Sequence, residues 1–126
     1  MQVPDDLLYT EEHEWVRQVG DSRVRIGITD YAQDQLGDVV FVELPEVGAR
    51  VAKDDILVEV ESTKSVGEVY APFGGEVTAV NQAVSDNPEL VNQSPYDQAW
   101  LVELAIEGEL PTAALLDPAA YREMTE

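Results

Sequence analysis

The chain has 126 residues, 44% of them hydrophobic, and its 26 acidic and seven basic residues give a net charge of −19. This length favours one domain with a single core, and the charge argues against nucleic acid and anionic membranes as partners, because both require basic patches. The absence of cysteine excludes disulfides, thiolate metal sites and a cysteine nucleophile.

The N-terminal segment predicts a β-hairpin followed by a short helix. "EWVRQ" (14–18) and "RVRIGI" (23–28) alternate apolar and polar residues and are separated by the turn-forming "VGDS". "TDYAQDQLG" (29–37) indicates a helix, with Thr29 as its N-cap and Gly37 just past its end.

The central segment predicts three strands. "DVVFVEL" (38–44) and "DILVEVE" (55–61) are strand-like and are separated by a turn at "PEVG". The second strand shows a period of two residues, with one face formed by Ile56, Val58 and Val60 and the other by Leu57, Glu59 and Glu61. "VGEVYAP" (66–72) predicts the next strand, so Lys64 lies at the turn between two strands.

The C-terminal segment predicts two more strands and a final helix. "EVTAVN" (76–81) follows the "PFGG" turn, and "AWLVELAI" (99–106) is the last strand. Between them, "SDNPELVNQSPYDQ" (85–98) indicates a loop with one helical turn. "DPAAYREMTE" (117–126) indicates a helix with Asp117 as N-cap and Pro118 as its first residue.

Two pairs of segments form an internal repeat. "GDVVFV" (37–42) is similar to "GEVTAV" (75–80), and "LVEV" (57–60) is similar to "LVEL" (101–104). The pairs occur in the same order, with an insertion of six residues in the second copy. We therefore expect a quasi-symmetric pair of small sheets that presents Lys64 at one protruding turn.

Most enzyme motifs are absent from the sequence. Phosphate-binding and dinucleotide-binding glycine motifs are missing, and the single histidine, His13, excludes multi-histidine metal sites, so no metal or catalytic residue is expected. A Ser62–Lys64 dyad is disfavoured because it requires a desolvated lysine, whereas a hairpin tip is hydrated. Lys64 is instead interpreted as an attachment site, since a tight exposed turn offers its amine to a modifying enzyme.

Several segments resemble the H-protein family of the glycine cleavage system. "VEVESTKSVGEVYAP" (58–72) is similar to the family's lipoylation hairpin, and "LLYTEEHEWVR" (7–17) is similar to its N-terminal signature. The similarity continues through "IGITDYAQDQLGDVVFVELPEVG" (26–48), "APFGGEVTAVN" (71–81), "PELVNQSPY" (88–96) and "AWL" (99–101). The resemblance covers residues 8–105.

The resemblance implies a mainly β fold, the barrel-sandwich hybrid of lipoyl carriers, with extra N-terminal strands and a helical C-terminus. We expect a single lipoyl-carrier domain over residues 1–126, with a lipoyl-like core at about 24–106 and C-terminal helices at about 110–125. The absence of cysteine fits this role, because no thiol of the carrier can exchange with a dithiolane.

The resemblance also implies a non-catalytic carrier with lipoate joined by an amide to Lys64. Its expected partners are pyridoxal-phosphate-dependent glycine decarboxylase, which loads an aminomethyl group, aminomethyltransferase, which removes it, and dihydrolipoyl dehydrogenase, which reoxidises the arm. A lipoate ligase or a lipoyl/octanoyl transferase would attach the group. By the same resemblance, Glu12, Glu14 and Glu68 match the cleft that holds the loaded arm, although Glu12 replaces a common serine and Glu68 a common aspartate.

Two alternatives remain open at this stage. One is an H-like protein that relays lipoyl groups to other complexes, and the other is an acidic binding module whose Lys64 stays unmodified. The flanking Thr63 and Ser65 differ from the methionines typical of biotin carriers. We further expect a cytoplasmic monomer, because "MQVPDDLLYTEEHEW" (1–15) starts at methionine and has the features of neither a signal nor a transit peptide, and because no apolar run approaches the ~18 residues of a membrane span.

Overall fold

Residues 1–125 are described by a computed structural model, in which strands β1 to β9 form two sheets. The strands are β1 (Leu8–Tyr9), β2 (Glu14–Gly20), β3 (Arg23–Ile28), β4 (Val39–Glu43), β5 (Arg50–Val51), β6 (Ile56–Ser62), β7 (Val66–Tyr70), β8 (Gly75–Val80) and β9 (Val102–Ile106). The helices are α1 (Asp30–Leu36), α2 (Gln82–Asp86), α3 (Leu90–Gln93), a short 3-10 helix (Thr112–Ala114) and α4 (Pro118–Thr125). The predicted mainly β fold with a helical C-terminus is confirmed.

The two sheets are antiparallel and differ in size. The larger has the order β1-β2-β3-β9-β8-β5, and the smaller has the order β4-β6-β7. The predicted repeat corresponds to two equivalent strand pairs, β4 with β6 and β8 with β9. The sheets are unequal because the predicted N-terminal hairpin, β2–β3, joins the larger sheet through β3 and β9.

The repeat is not exact in its register. Val42 pairs with Val60 in the first copy, whereas Val80, which matches Val42, pairs with Val102, which matches Val58. The second pair is therefore shifted by two residues. A shift of two keeps every side chain on its original face, because the side-chain period of a strand is two.

A single apolar core lies between the sheets, with a smaller aromatic cluster beside it. The main core is built from the inward residues of both sheets, such as Val42, Val60, Val77 and Leu104. The second cluster consists of the fully buried Tyr9, Trp15 and Tyr121 with Leu7. Tyr9 and Tyr121 stack with ring centroids 4.6 Å apart, which fixes α4 against the N-terminal strands.

Local signals in the sequence locate the helix ends correctly. The Thr29 side chain accepts a hydrogen bond from the Ala32 N–H, and Gly37 ends α1 with a φ of 83°. The Asp117 carboxylate accepts one from the Ala120 N–H at 2.8 Å, as expected for the N-cap of α4. Glycine suits the left-handed backbone at Gly37 because it has no Cβ.

Three expectations are corrected by the structure. The strict alternation in β6 is wrong at its start: Ile56 is 51% exposed and Leu57 is 4% exposed, because the register shifts between Ile56 and Val58. The loop at 85–98 is more helical than expected, since α2 begins just before it and α3 lies within it. The last strand starts only at Val102, and the two-residue strands β1 and β5 were not predicted, because strands this short show no periodicity.

No helix within residues 1–125 is long and apolar enough to cross a membrane.

Candidate functional site

Lys64 lies at the tip of the β6–β7 hairpin, in a turn closed by Ser62. The Ser62 N–H donates to the Ser65 carbonyl at 2.8 Å, and the Ser62 hydroxyl oxygen accepts from the backbone N–H groups of Lys64 and Ser65 at 3.3 and 3.0 Å. These bonds give partners to the N–H groups of Ser62, Lys64 and Ser65 within the turn itself. The lysine is therefore presented by an ordered backbone.

The segment that follows α1, residues 37–39, supports this turn. The Thr63 N–H donates to the Asp38 carbonyl at 3.0 Å, and a Cβ added to Gly37 would lie 3.2 Å from Cε of Lys64. Asn92 of α3 holds the same segment, donating to the Gly37 carbonyl at 2.8 Å and accepting from the Val39 N–H at 2.9 Å. The aliphatic stem of the lysine thus lies over a glycine that leaves room for it.

The Lys64 side chain is exposed, and no ion pair to it is found among residues 1–125. A primary amine in this setting can accept an acyl group without losing any contact that stabilises the fold. The residues present therefore fit an amide-linked group such as lipoate.

Glu14 has a very different environment. Its carboxylate is 1% exposed and accepts hydrogen bonds from the Tyr70 N–H at 2.7 Å and from the Thr10 hydroxyl at 3.0 Å. Burial raises the pKa of Glu14 to about 7, although both hydrogen bonds oppose this change. Tyr70 belongs to the edge strand β7, so Glu14 of the larger sheet caps an edge N–H of the smaller sheet.

A cleft of about 410 Å³ lies beside Glu14. Its charged lining residues are Glu11, Glu12, Glu14, Lys53 and Asp54, and the rest of the wall comes from Thr10, Tyr70–Pro72 and Ala113–Leu116. The structure therefore brings two of the three predicted carboxylates, Glu12 and Glu14, into one cleft.

Glu68 does not line this cleft. It is exposed on β7, directly opposite Glu59 of β6, two residues before Tyr70 and four after Lys64. It lies on the hairpin between the lysine and the cleft, at ~13 Å along the strand from Lys64.

Sequence reasoning missed Thr10, Asp54 and Tyr70. Asp54 has a φ of 73°, in the left-handed region that aspartate tolerates. Its backbone N–H donates to the Ala71 carbonyl. Tyr70 contributes its backbone N–H, which no side-chain pattern reveals. The sequence "YTEEHE" (9–14) does not show that the side chains of Thr10 and Glu14 meet.

His13 lies between the cleft residues Glu12 and Glu14 in the sequence and contacts the aromatic cluster through Tyr121. Its Nδ1 is 2.8 Å from the Tyr121 hydroxyl, which is in turn 2.7 Å from the Thr29 hydroxyl, and its ring stacks on Tyr31. Desolvation lowers the pKa of His13. A neutral imidazole can accept from the tyrosine at Nδ1, so this histidine joins α4 to the N-terminal turn.

Comparison with known proteins agrees with the resemblance of the motifs. The sequence model of the family described as "Glycine cleavage H-protein" matches residues 7–126. The chain is 57% identical over 124 residues to the glycine cleavage system H protein of Mycolicibacterium smegmatis, covering 96% of this chain and 95% of that one. It is 53% identical over 126 residues to the protein of the same name from Listeria monocytogenes serotype 4b, with both chains fully covered.

A solved structure is similar as well. The crystal structure of a glycine cleavage system H protein from Mycobacterium marinum superposes with a TM-score of 0.86 and 38% sequence identity, covering 96% of this chain and 97% of that one. The similarity therefore extends over the whole arrangement of sheets and helices.

Proposed function

The chain belongs to the glycine cleavage H-protein family, and from this premise we propose that Lys64 is the residue that carries lipoate in an amide bond. Members of this family are lipoyl carriers without catalytic activity of their own. The function of this protein is therefore that of a non-catalytic carrier in glycine cleavage. Which lysine bears the group is the step that we add.

The environment of Lys64 is the observation that best supports this assignment. Its backbone is fixed by the Ser62 turn and by the bond from Thr63 to Asp38, while its amine has no ion-pair partner in residues 1–125. The only other lysine, Lys53, lines the cleft beside four acidic residues. A carrier needs an exposed amine on an ordered support, and the environment of Lys64 is consistent with both requirements.

The bound group would supply a disulfide that accepts a one-carbon amine unit and electrons. We propose glycine decarboxylase, aminomethyltransferase and dihydrolipoyl dehydrogenase as the partners that load, unload and reoxidise it, with a lipoate ligase or a lipoyl/octanoyl transferase attaching it. A cytoplasmic location, a monomeric state and a single domain over residues 1–126 remain predictions.

We further propose that the cleft at Glu14 receives the cationic end of the loaded arm. A buried carboxylate with a pKa near 7 holds a proton readily when the cleft is empty. An ammonium group beside it would favour the ionised form and form a charge-assisted hydrogen bond, worth about 1.5–3 kcal/mol. Glu12 shares the cleft, while Glu68 lies outside it and could contact the arm only on its way there.

Intact mass spectrometry tests the attachment site. The unmodified protein is incubated with lipoate, ATP and a lipoate ligase, alongside the Lys64→Arg and Lys53→Arg variants. We expect one lipoyl-sized mass increment on the parent and on Lys53→Arg, and none on Lys64→Arg. Lys53→Arg is the matched control because it removes the only other lysine and keeps the charge.

An increment on folded Lys64→Arg would refute the assignment. Absence of any increment on the folded parent would favour an acidic binding module with an unmodified lysine. Relay of lipoyl groups to other complexes is tested by adding a lipoyl-accepting domain to the lipoylated protein, and it would require transfer to that domain.

A further inference from the structure

The smaller sheet has an outward surface next to Lys64, called here the outer face. Strand residues such as Val42, Val60 and Val69 point into the core, and their neighbours in the strands point away from it. The outer face consists of Phe41, Glu43, Ile56, Glu59, Glu61, Val66, Glu68 and Tyr70, together with the bulged residue Val40.

Three glutamates form a row across this face. Glu43 of β4 pairs with Glu59 of β6, which pairs with Glu68 of β7. Like charges directly opposite each other in a sheet are destabilising, and glutamate is depleted in strands. The strands β4, β6 and β7 contain no lysine or arginine, and no ion pair to the row is found among residues 1–125. The fold gains nothing from this arrangement.

Apolar side chains are concentrated on the same face. Of the seven large hydrophobic side chains that are exposed in residues 1–125, four lie here, with exposed fractions of 47% to 55%: Val40, Phe41, Ile56 and Val66. Phe41 and Val66 flank Glu61 in the row nearest to the hairpin tip. Exposed apolar residues bordered by charge are typical of a surface that binds another protein.

We propose that the outer face is the docking surface for the enzyme that acylates Lys64. This enzyme would place an apolar contact on Phe41 and Val66 and basic side chains against the row of Glu43, Glu59 and Glu68. The charge complementarity follows from the uncompensated carboxylates, since a cationic partner surface would relieve their mutual repulsion. The inference rests on the proposed attachment at Lys64.

The distance to which each enzyme must approach Lys64 favours the acylating enzyme over the enzymes that act on the attached lipoyl arm. Acylation requires the enzyme's active site at Nζ of Lys64 itself, so the enzyme's body must cover the hairpin tip. Val66 and Glu68 are two and four residues from Lys64, which is ~7 and ~13 Å along an extended strand. An enzyme that acts on the end of the arm can hold it at a distance from the hairpin.

The chemical step needs only the reagents already named. The ligase joins lipoate to ATP as an acyl adenylate with release of pyrophosphate. The neutral amine of Lys64 then attacks the acyl carbon, so that an N–C bond forms, the C–O bond to AMP breaks, and the amine's extra proton passes to solvent.

The test measures the kcat/KM of acylation by the cognate lipoate ligase, with intact mass as readout. The triple variant Glu43→Gln, Glu59→Gln, Glu68→Gln is compared with a control triple variant at exposed acidic positions elsewhere, Glu107→Gln, Glu109→Gln and Glu123→Gln. Phe41→Ser is compared with Val47→Ser, whose side chain is exposed outside the outer face.

We expect the face triple variant to lower kcat/KM about tenfold at low salt and to approach the parent at about 0.5 M salt, because electrostatic steering is screened. Phe41→Ser should lower it at both salt concentrations. Both control variants should stay within twofold of the parent. The melting temperature of the face triple variant should be at or above that of the parent, because the repulsion is removed.

Three results would overturn the proposal. One is a face triple variant and a Phe41→Ser variant that are both acylated within twofold of the parent rate. Another is an equal loss in the control triple variant, which would reveal an effect of net charge alone. In both cases the attachment to Lys64 would stand. Failure of the ligase to acylate the folded parent would instead overturn the proposed attachment, and the docking surface with it.

Discussion

The carboxylate of Glu14 accepts a hydrogen bond from the backbone N–H of Tyr70 at 2.7 Å, across 56 residues of sequence. Glu14 begins the second strand of the larger sheet, and Tyr70 ends the edge strand of the smaller one. One side chain therefore joins the two sheets at the same place where it lines the cleft. Its structural role and its proposed role in the cleft are linked, and substitutions have to be chosen to separate them.

Glu14→Gln should remove a pH dependence of stability. The pKa of Glu14 is about 7 in the folded protein against 4.5 for the ordinary carboxyl, so its contribution is fully present below pH 4.5 and is lost as the pH rises towards 7. A shift of this size corresponds to a loss of about 3 kcal/mol in the parent. In urea unfolding at pH 4.5, 6 and 8, the free energy of unfolding of the parent should fall by about this amount, relative to that of the glutamine variant, as the pH rises. A constant difference between them would contradict the prediction.

The same variant should also shorten the lifetime of the aminomethyl-loaded form. Glutamine retains an oxygen that can accept from the Tyr70 N–H, but it has no charge to hold an ammonium group. Lipoylation at Lys64 should be unaffected, and ammonia release from the loaded carrier should become about tenfold faster, the equivalent of 1.4 kcal/mol. Equal release rates for variant and parent would show that Glu14 is purely structural. Glu14→Ala tests the same loss of charge but leaves the Tyr70 N–H without its acceptor.

Gly27→Ala should be strongly destabilising. A Cβ at Gly27 would lie 2.5 Å from the indole ring of Trp15, which is fully buried and donates to the Pro95 carbonyl at 2.9 Å. Overpacking of this kind typically costs 1–3 kcal/mol. Gly74→Ala is the matched control, since its Cβ would meet only ordinary contacts at 3.5 Å and beyond. Chemical denaturation that shows equal stability for the two variants would contradict the expected contact with Trp15.

Tyr121→Phe should loosen α4 without breaking the aromatic cluster. The phenyl ring of the variant can still stack on Tyr9, but the bonds of the tyrosine hydroxyl to His13 and Thr29 are lost. Two neutral hydrogen bonds are worth about 1–3 kcal/mol together. We expect this loss in the free energy of unfolding, together with faster amide exchange confined to α4 and the turn at His13. Unchanged exchange in α4 would argue against the network.

The same network gives a pH dependence of opposite sign to that of Glu14. Because the pKa of His13 is lowered in the folded protein, its stabilising contribution is present above pH 6.5 and is lost as the pH falls below it. His13→Asn keeps a residue that tolerates the local φ of 68° and removes the titration. Its stability relative to the parent should therefore rise on acidification from pH 7 to 5.

Features with a local cause were predictable from the sequence. Thr29, Gly37 and Asp117 act within one helical turn of their own position, so their signals could be read directly. Lys64 could be located because the two strands beside it are both strongly patterned. The strand pairs of the repeat were predictable for the same reason, although the shift of two residues between the copies was not.

Features that depend on distant backbone were not predictable. The exposure of Ile56 follows from a bulge that only the pairing with β7 reveals. Glu68 lies outside the cleft because it precedes Tyr70 by two residues on β7, whereas Tyr70 lines the cleft and donates its main-chain N–H to Glu14. Side-chain identity alone carries no information about either.

The contact between the N-terminal strand and the C-terminal helix has a consequence during synthesis. Tyr9 pairs with Leu116, His13 reaches Tyr121 across 108 residues, and Arg122 donates to the Val3 carbonyl across 119. A ribosome adding 5–20 residues per second takes ~5–20 s to make the intervening chain. During this interval Tyr9 lacks both its pairing partner Leu116 and its stacking partner Tyr121. Premature termination before residue 116 would therefore leave the aromatic cluster without Leu116 and Tyr121.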